Sequence, residues 1–180
     1  MLKLIVMNRV NLLHQNEKVT YLFSPAKQNL RKIQSFLNGS LDEVSVEEAL
    51  CGENTLIDVR TAQEYESGSI PNAFSYPLFD NLERAEIGLI YRKIGKTEAV
   101  VKGLKFFEPK IQQFISALSD LKYKRLVVFC ARGGMRSASV VRLLQHQGFC
   151  AAQLRGGYKS YRGHVLNQLS KPVNPLIVLH

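Results

Sequence analysis

The chain has 180 residues, 46% of them hydrophobic, with 24 Lys+Arg against 15 Asp+Glu and a formal net charge of +9. That length suits one domain with extensions around an ordinary globular core, and no apolar run is long enough to span a membrane. The basic balance points to an anionic partner, nucleic acid first, weighed against a basic surface with no special partner.

Residues 1–7 are apolar but short. Asn8 and Arg9 follow with no small-residue cleavage site, so no signal peptide is expected. Residues 2–6 suit a strand, and 27–37 carry a weak helical pattern ending at Asn38-Gly39-Ser40. Residues 1–42 are therefore read as an extension of unknown role. From Ser45 the signals sharpen. Ser45 with Glu48 and Thr61 with Glu64 each make a capping box ahead of a short helix, and Thr55-Leu56-Ile57-Asp58-Val59 between them reads as a buried strand. Asp58 and Arg60 at its end are read chiefly as a pair tying loops together, since buried charges are paired. Gly68-Ser69-Ile70-Pro71-Asn72-Ala73 makes a turn into a short extended piece at 74–78. Three helical pieces follow, at 82–91, 97–107 and 109–121. Their basic residues Arg92, Lys93, Lys96, Lys102 and Lys105 mark a solvated face, or with Tyr91, Phe106 and Phe107 a nucleic-acid surface.

The most informative stretch is Leu126-Val127-Val128-Phe129-Cys130-Ala131-Arg132-Gly133-Gly134-Met135-Arg136-Ser137. It reads as a strand tipped by a cysteine, a basic glycine-bearing loop, and a helix with Ser137 as N-cap. The thiolate is the reactive form of cysteine. A helix N-terminus, convergent loop N–H groups and the charges of Arg132 and Arg136 all favour it. A turn and strand at 148–154, Arg155-Gly156-Gly157-Tyr158, and a helix over 159–169 come next. Strands alternating with helices predict an α/β fold, a central parallel sheet flanked by helices on both faces, with ligands at the strands' C-terminal ends. Cys130, Arg60 and Gly156-Gly157 all fall there. The three cysteines, Cys51, Cys130 and Cys150, are odd in number and lack metal-ligand spacing. Neither a disulfide framework nor a metal site is expected, a reducing cytoplasm fits, and Cys51 and Cys150 are read as structural.

Leu56-Ile57-Asp58-Val59-Arg60, Glu64-Tyr65-Glu66-Ser67-Gly68-Ser69-Ile70-Pro71-Asn72-Ala73, the Cys130 loop and Leu154-Arg155-Gly156-Gly157-Tyr158 together resemble the rhodanese-like family over 43–170. Ser69 stands where histidine is typical and Asn72 where glycine is. Asp80-Asn81-Leu82-Glu83-Arg84-Ala85-Glu86-Ile87-Gly88, Cys130 to Ser137 and Gly156-Gly157-Tyr158-Lys159-Ser160-Tyr161-Arg162 resemble more narrowly the N-terminal domain of the bacterial tRNA 2-selenouridine synthases. That resemblance implies replacement of sulfur by selenium on wobble 2-thiouridine of tRNA through a geranylated intermediate. It also implies selenophosphate as donor, no permanently bound cofactor, and Cys130 as the catalytic cysteine. The family carries a second, P-loop domain. Residues 171–180 read as a linker and the first strand of such a domain, with no phosphate-binding motif after it. A separate P-loop domain or chain is thus an expected partner, and geranyl transfer is not expected of this chain alone.

The expected site has Cys130 as nucleophile and the backbone of Ala131, Arg132, Gly133, Gly134, Met135 and Arg136 as an anion cradle, with Ser137 beside it. Arg132 and Arg136 are the expected contacts to the substrate anion. Asp58, Arg60, Gly156 and Gly157 are the expected pocket wall. Three other functions compete: a general thiosulfate or persulfide sulfurtransferase, a cysteine phosphatase, and a non-catalytic remnant. The Cys130-to-Arg136 spacing, with Ser137 next, matches a C-x5-R-[ST] phosphatase loop, but no residue inside the loop is an acid for the leaving group.

Overall fold

A computed structural model describes residues 40–171. The readings made for residues 1–39 and for the strand at 176–179 lie outside the described residues. In chain order the elements are β1 (Glu43–Val44), α1 (Val46–Leu50), β2 (Asn54–Asp58), α2 (Ala62–Glu66), β3 (Phe74–Ser75), α3 (Asn81–Lys93), α4 (Lys96–Phe107), α5 (Ile111–Ala117), β4 (Arg125–Phe129), α6 (Met135–His146), β5 (Ala151–Leu154) and α7 (Gly157–Leu169). The five strands form one sheet in the order β1-β5-β4-β2-β3, with every pairing parallel.

The central strands are apolar because both of their faces are covered. Leu126, Val127, Val128 and Phe129 of β4 are wholly buried, each contributing about 1.5–3 kcal/mol by leaving water. Side chains alternate along a strand, and the core divides accordingly. Leu126, Val128 and Ile57 pack on one face with Phe107, Ile111, Phe114, Val140 and Leu144, which come from α4, α5 and α6. Val127, Phe129, Leu56 and Leu154 pack on the other with Val46 and Ala49 of α1 and Tyr158 and Tyr161 of α7. The expected parallel sheet with helices on both faces is thus observed.

Both expected capping boxes form: Ser45 and Thr61 accept from the Glu48 and Glu64 amides, and each glutamate side chain returns a bond to its cap. Other boundaries move. The extended piece at 74–78 pairs as a strand only over Phe74–Ser75, although Tyr76 and Leu78 still donate to the Asp58 and Val59 carbonyls. The last strand begins at Ala151, and the last helix at Gly157 rather than at 159. Ser137 is not an N-cap. The cap of α6 is Gly134, whose extended backbone starts the helix three residues earlier and carries Ser137 inward to a fully buried position in the first turn. Cys51 and Cys150, read as structural, are both exposed and lie outside the sheet at element ends.

The chain leaves β2 toward β3 on one side and β4 toward β5 on the other. Neighbouring β2 and β4 therefore end at the point where the strand order reverses, where open parallel sheets form their crevices. Cys130 follows β4 there, and Asp58 and Arg60 stand at the end of β2.

Candidate functional site: a thiol in a basic backbone loop

Cys130 is the first residue past β4 and is only 3% exposed. The chain turns under it. The Gly134 N–H points at its sulfur at 3.4 Å, and the Ser137 hydroxyl lies 3.2 Å from the same atom. Gly133 takes the left-handed conformation (φ 60°), which glycine adopts without cost.

The loop is held from behind by the start of α7. Tyr158 N–H donates to the Cys130 carbonyl at 2.9 Å and Lys159 N–H to the Ala131 carbonyl at 3.0 Å. These first-turn N–H groups have no partner within their own helix, so the loop carbonyls supply one. The approach is close enough to require glycine on both sides. A Cβ on Gly157, also left-handed at φ 59°, would collide with the Cys130 carbonyl, and one on Gly133 would sit 2.7 Å from the Gly156 nitrogen. Gly156 and Gly157 thus touch the loop's backbone.

Burial pushes the Cys130 thiol up. The Ser137 hydroxyl, the Arg136 charge and backbone N–H groups of Ser137 and Arg132 outweigh it, so its pKa is lowered. The two loop arginines differ. Arg132 is exposed. Arg136 is paired with Glu64, Nη1 to Oε2 at 2.8 Å, and Arg84 approaches the same carboxylate at 3.7 Å. Burial pushes Glu64 up, but its bond to Arg136, the Arg136 and Arg84 charges and the Thr61 backbone hold it below the usual carboxylate range. Glu64 already takes part of the Arg136 charge, so the direct hydrogen bonds matter most to the thiolate.

Asp58 and Arg60 form a separate knot. Asp58 is wholly buried and Arg60 is 4% exposed. Their side chains meet at 2.6 Å, Ser69 donates to Asp58 at 2.7 Å, and Arg60 donates to the Gly68 carbonyl at 2.7 Å. The Arg60 guanidinium lies 4.1 Å from the centre of the Tyr158 ring. The pair therefore ties the end of β2 to the turn before β3 and to α7, the loop-tying role expected of it. Through Tyr158 it supports the helix that holds the Cys130 loop.

Two residues of the site escaped sequence reasoning. Glu64 was read only as half of a capping box. Gln153, 2% exposed, donates to the Ser137 hydroxyl at 2.6 Å. A glutamine among the apolar residues of β5 was the available signal, because a buried amide must be satisfied. A groove of about 500 Å³ lined by Leu50, Asn54, Pro71, Tyr161, His164 and Leu169 includes no residue of the Cys130 loop. Among the described residues no cluster of His, Cys, Asp and Glu has the makings of a metal site, and no helix is long and apolar enough to cross a membrane.

The chain is similar to known proteins in sequence and in fold. The chain is 31% identical over 146 residues to a tRNA 2-selenouridine synthase of Proteus mirabilis, covering 79% of this chain and 40% of that protein. It is 33% identical over 117 residues to one from Hydrogenovibrio crunogenus, covering 63% and 32%. The chain thus spans less than half the length of these curated relatives. Among solved structures, it is similar to the N-terminal domain of a provisionally assigned ATP/GTP binding protein from Clostridium difficile 630. The identity is 43% and the TM-score 0.66, over 68% of this chain and 98% of that one. The family described as the rhodanese-like domain matches residues 42–164, from the strand that opens the sheet to the helix behind the thiol loop. With that match, a parallel sheet and a cysteine loop at its reversal point, the chain belongs to the rhodanese-like domain family.

Proposed function

We propose that Cys130 is a nucleophile that carries a chalcogen atom, and that the chain is the rhodanese part of a tRNA 2-selenouridine synthase system. The observation that carries this is the sulfur of Cys130, held at the tip of β4 by the Gly134 N–H and the Ser137 hydroxyl within a loop bearing Arg132 and Arg136. With thiosulfate, the thiolate attacks the outer sulfur. A new S–S bond forms, and sulfite leaves with the electron pair of the bond that breaks. The persulfide anion that remains would be stabilised by loop N–H groups set to receive negative charge.

The names of the curated relatives support the more specific reading, in which 2-thiouridine of tRNA becomes 2-selenouridine with selenophosphate as the selenium donor. The net charge of +9 suits a tRNA partner. Those relatives are longer than this chain, which supports a partner P-loop domain or chain for the complete reaction. The phosphatase reading ranks lower, because no residue inside the Cys130 loop is an acid for the leaving group.

The test is intact-mass spectrometry after separate incubation with thiosulfate and with selenophosphate. One added sulfur or selenium atom is expected on the wild-type chain and none on Cys130→Ser, whose stability should change by no more than about 1 kcal/mol. Selenium preference would favour the synthase reading over a general sulfurtransferase. A folded wild-type chain that takes an atom from neither donor, or a Cys130→Ser variant that still takes one, would overturn the assignment.

A further inference from the structure

Gln153 lies on β5, beside the strand that carries Cys130, and its amide is buried. Its Nε2 donates to the Ser137 hydroxyl oxygen at 2.6 Å and to the Gly134 carbonyl at 3.1 Å. Chemistry fixes this orientation. Turned over, the amide would set its oxygen against the Gly134 carbonyl oxygen, acceptor facing acceptor.

The consequence falls on Ser137. Its oxygen accepts from Gln153, which leaves one hydroxyl hydrogen to place. Two acceptors are in reach, the Gly134 carbonyl and the Cys130 sulfur, each at 3.2 Å. The Gly134 carbonyl already receives the Ala138 N–H at 3.1 Å and the second Gln153 hydrogen. A carbonyl oxygen has two lone pairs, so both are taken. The sulfur is the acceptor that remains.

We propose that Gln153 is a positioning residue: from the neighbouring strand it saturates the Gly134 carbonyl and orients Ser137 so that the hydroxyl proton points at the Cys130 sulfur. The side chain touches neither substrate nor sulfur and acts through Ser137 alone. This role rests on the reading of Cys130 as the working thiol, but its test reads the ionisation of Cys130 and not what the thiol transfers.

Thiolate absorbance in the ultraviolet, titrated on the full chain with the Cys130→Ser signal subtracted to remove Cys51 and Cys150, gives the Cys130 midpoint. Gln153→Leu keeps the bulk and removes both donors, and should raise the midpoint by about one pH unit. Gln153→Glu, whose carboxylate accepts the Ser137 proton and turns it from the sulfur, should raise it at least as far. In a Ser137→Ala background, Gln153→Leu should add no further rise. An unmoved midpoint in a Gln153→Leu protein with wild-type circular dichroism overturns the proposal, and so does an equal rise with and without the Ser137 hydroxyl. If Gln153→Leu does not fold, Gln153→Met, also uncharged and without a donor, carries the same comparison. The expected midpoints in a chain that accepts no chalcogen atom would sink the proposed function and leave this role standing.

Discussion

At Cys130 two effects oppose each other. Burial disfavours the charged form, while the Ser137 hydroxyl, the Arg136 charge and the backbone N–H groups favour it and prevail. Cys130 should therefore titrate lower than an ordinary cysteine, and Ser137→Ala should raise that midpoint, as thiolate absorbance will report. The same shift appears in stability with a definite sign. Between the lowered native midpoint and the ordinary value the unfolded chain holds more protons, so stability rises with pH across that window. Urea unfolding at a series of pH values should show this rise in the wild type and a flatter profile in Cys130→Ser. Gly157 is the other critical single residue. Gly157→Ala places a Cβ against the Cys130 carbonyl from a left-handed backbone, and a cost of about 3 kcal/mol is expected in urea unfolding.

At the scale of elements, the ends of strands and helices carry the design. The Asp58–Arg60 pair ties β2 to the Gly68-Ser69 turn and to α7 without entering the Cys130 loop. Arg60→Ala leaves Asp58 buried and without its guanidinium, a change expected to cost about 3–5 kcal/mol in urea unfolding. The two capping boxes were legible in the sequence because cap and glutamate lie three residues apart and need no other part of the chain. The cysteine-tipped strand was legible because an apolar run ending in a thiol and a basic glycine loop is itself local. Ser137 was misread for the complementary reason. Its residue type favours a helix cap, but Gly134 starts the helix earlier, and Ser137 finds its partners in Cys130 and in Gln153 of another strand. Glu64 reaches Arg136 across 72 positions of sequence. Contacts of that range arise only once the sheet has assembled, so no periodicity or spacing announces them.

At the scale of the whole molecule, the site depends on how the strands are ordered. β2 and β4 lie side by side at the reversal of the sheet, which brings Arg60 and Cys130 to one edge although a long stretch of mostly helical chain separates them. The last strand pairs with both β4 and β1, joining the end of the domain to its beginning. α7 then covers the face formed by Val127, Phe129 and Leu154 and bonds the loop carbonyls. A chain ending at Arg155 keeps β5 but loses every contact of α7. Its urea transition, followed by circular dichroism, should be broad or absent, whereas the full chain should unfold in one cooperative step.

The bonds from Tyr158 and Lys159 to the Cys130 loop also set an order in time. A ribosome releases residue 130 before residues 158 and 159, so the nascent chain presents the cysteine before anything can brace the loop around it. Until the last helix docks, the Cys130 and Ala131 carbonyls lack the N–H groups of Tyr158 and Lys159 that hold the loop from behind. The loop around the cysteine is thus braced only after β5 and α7, which both follow it in the chain, have been made.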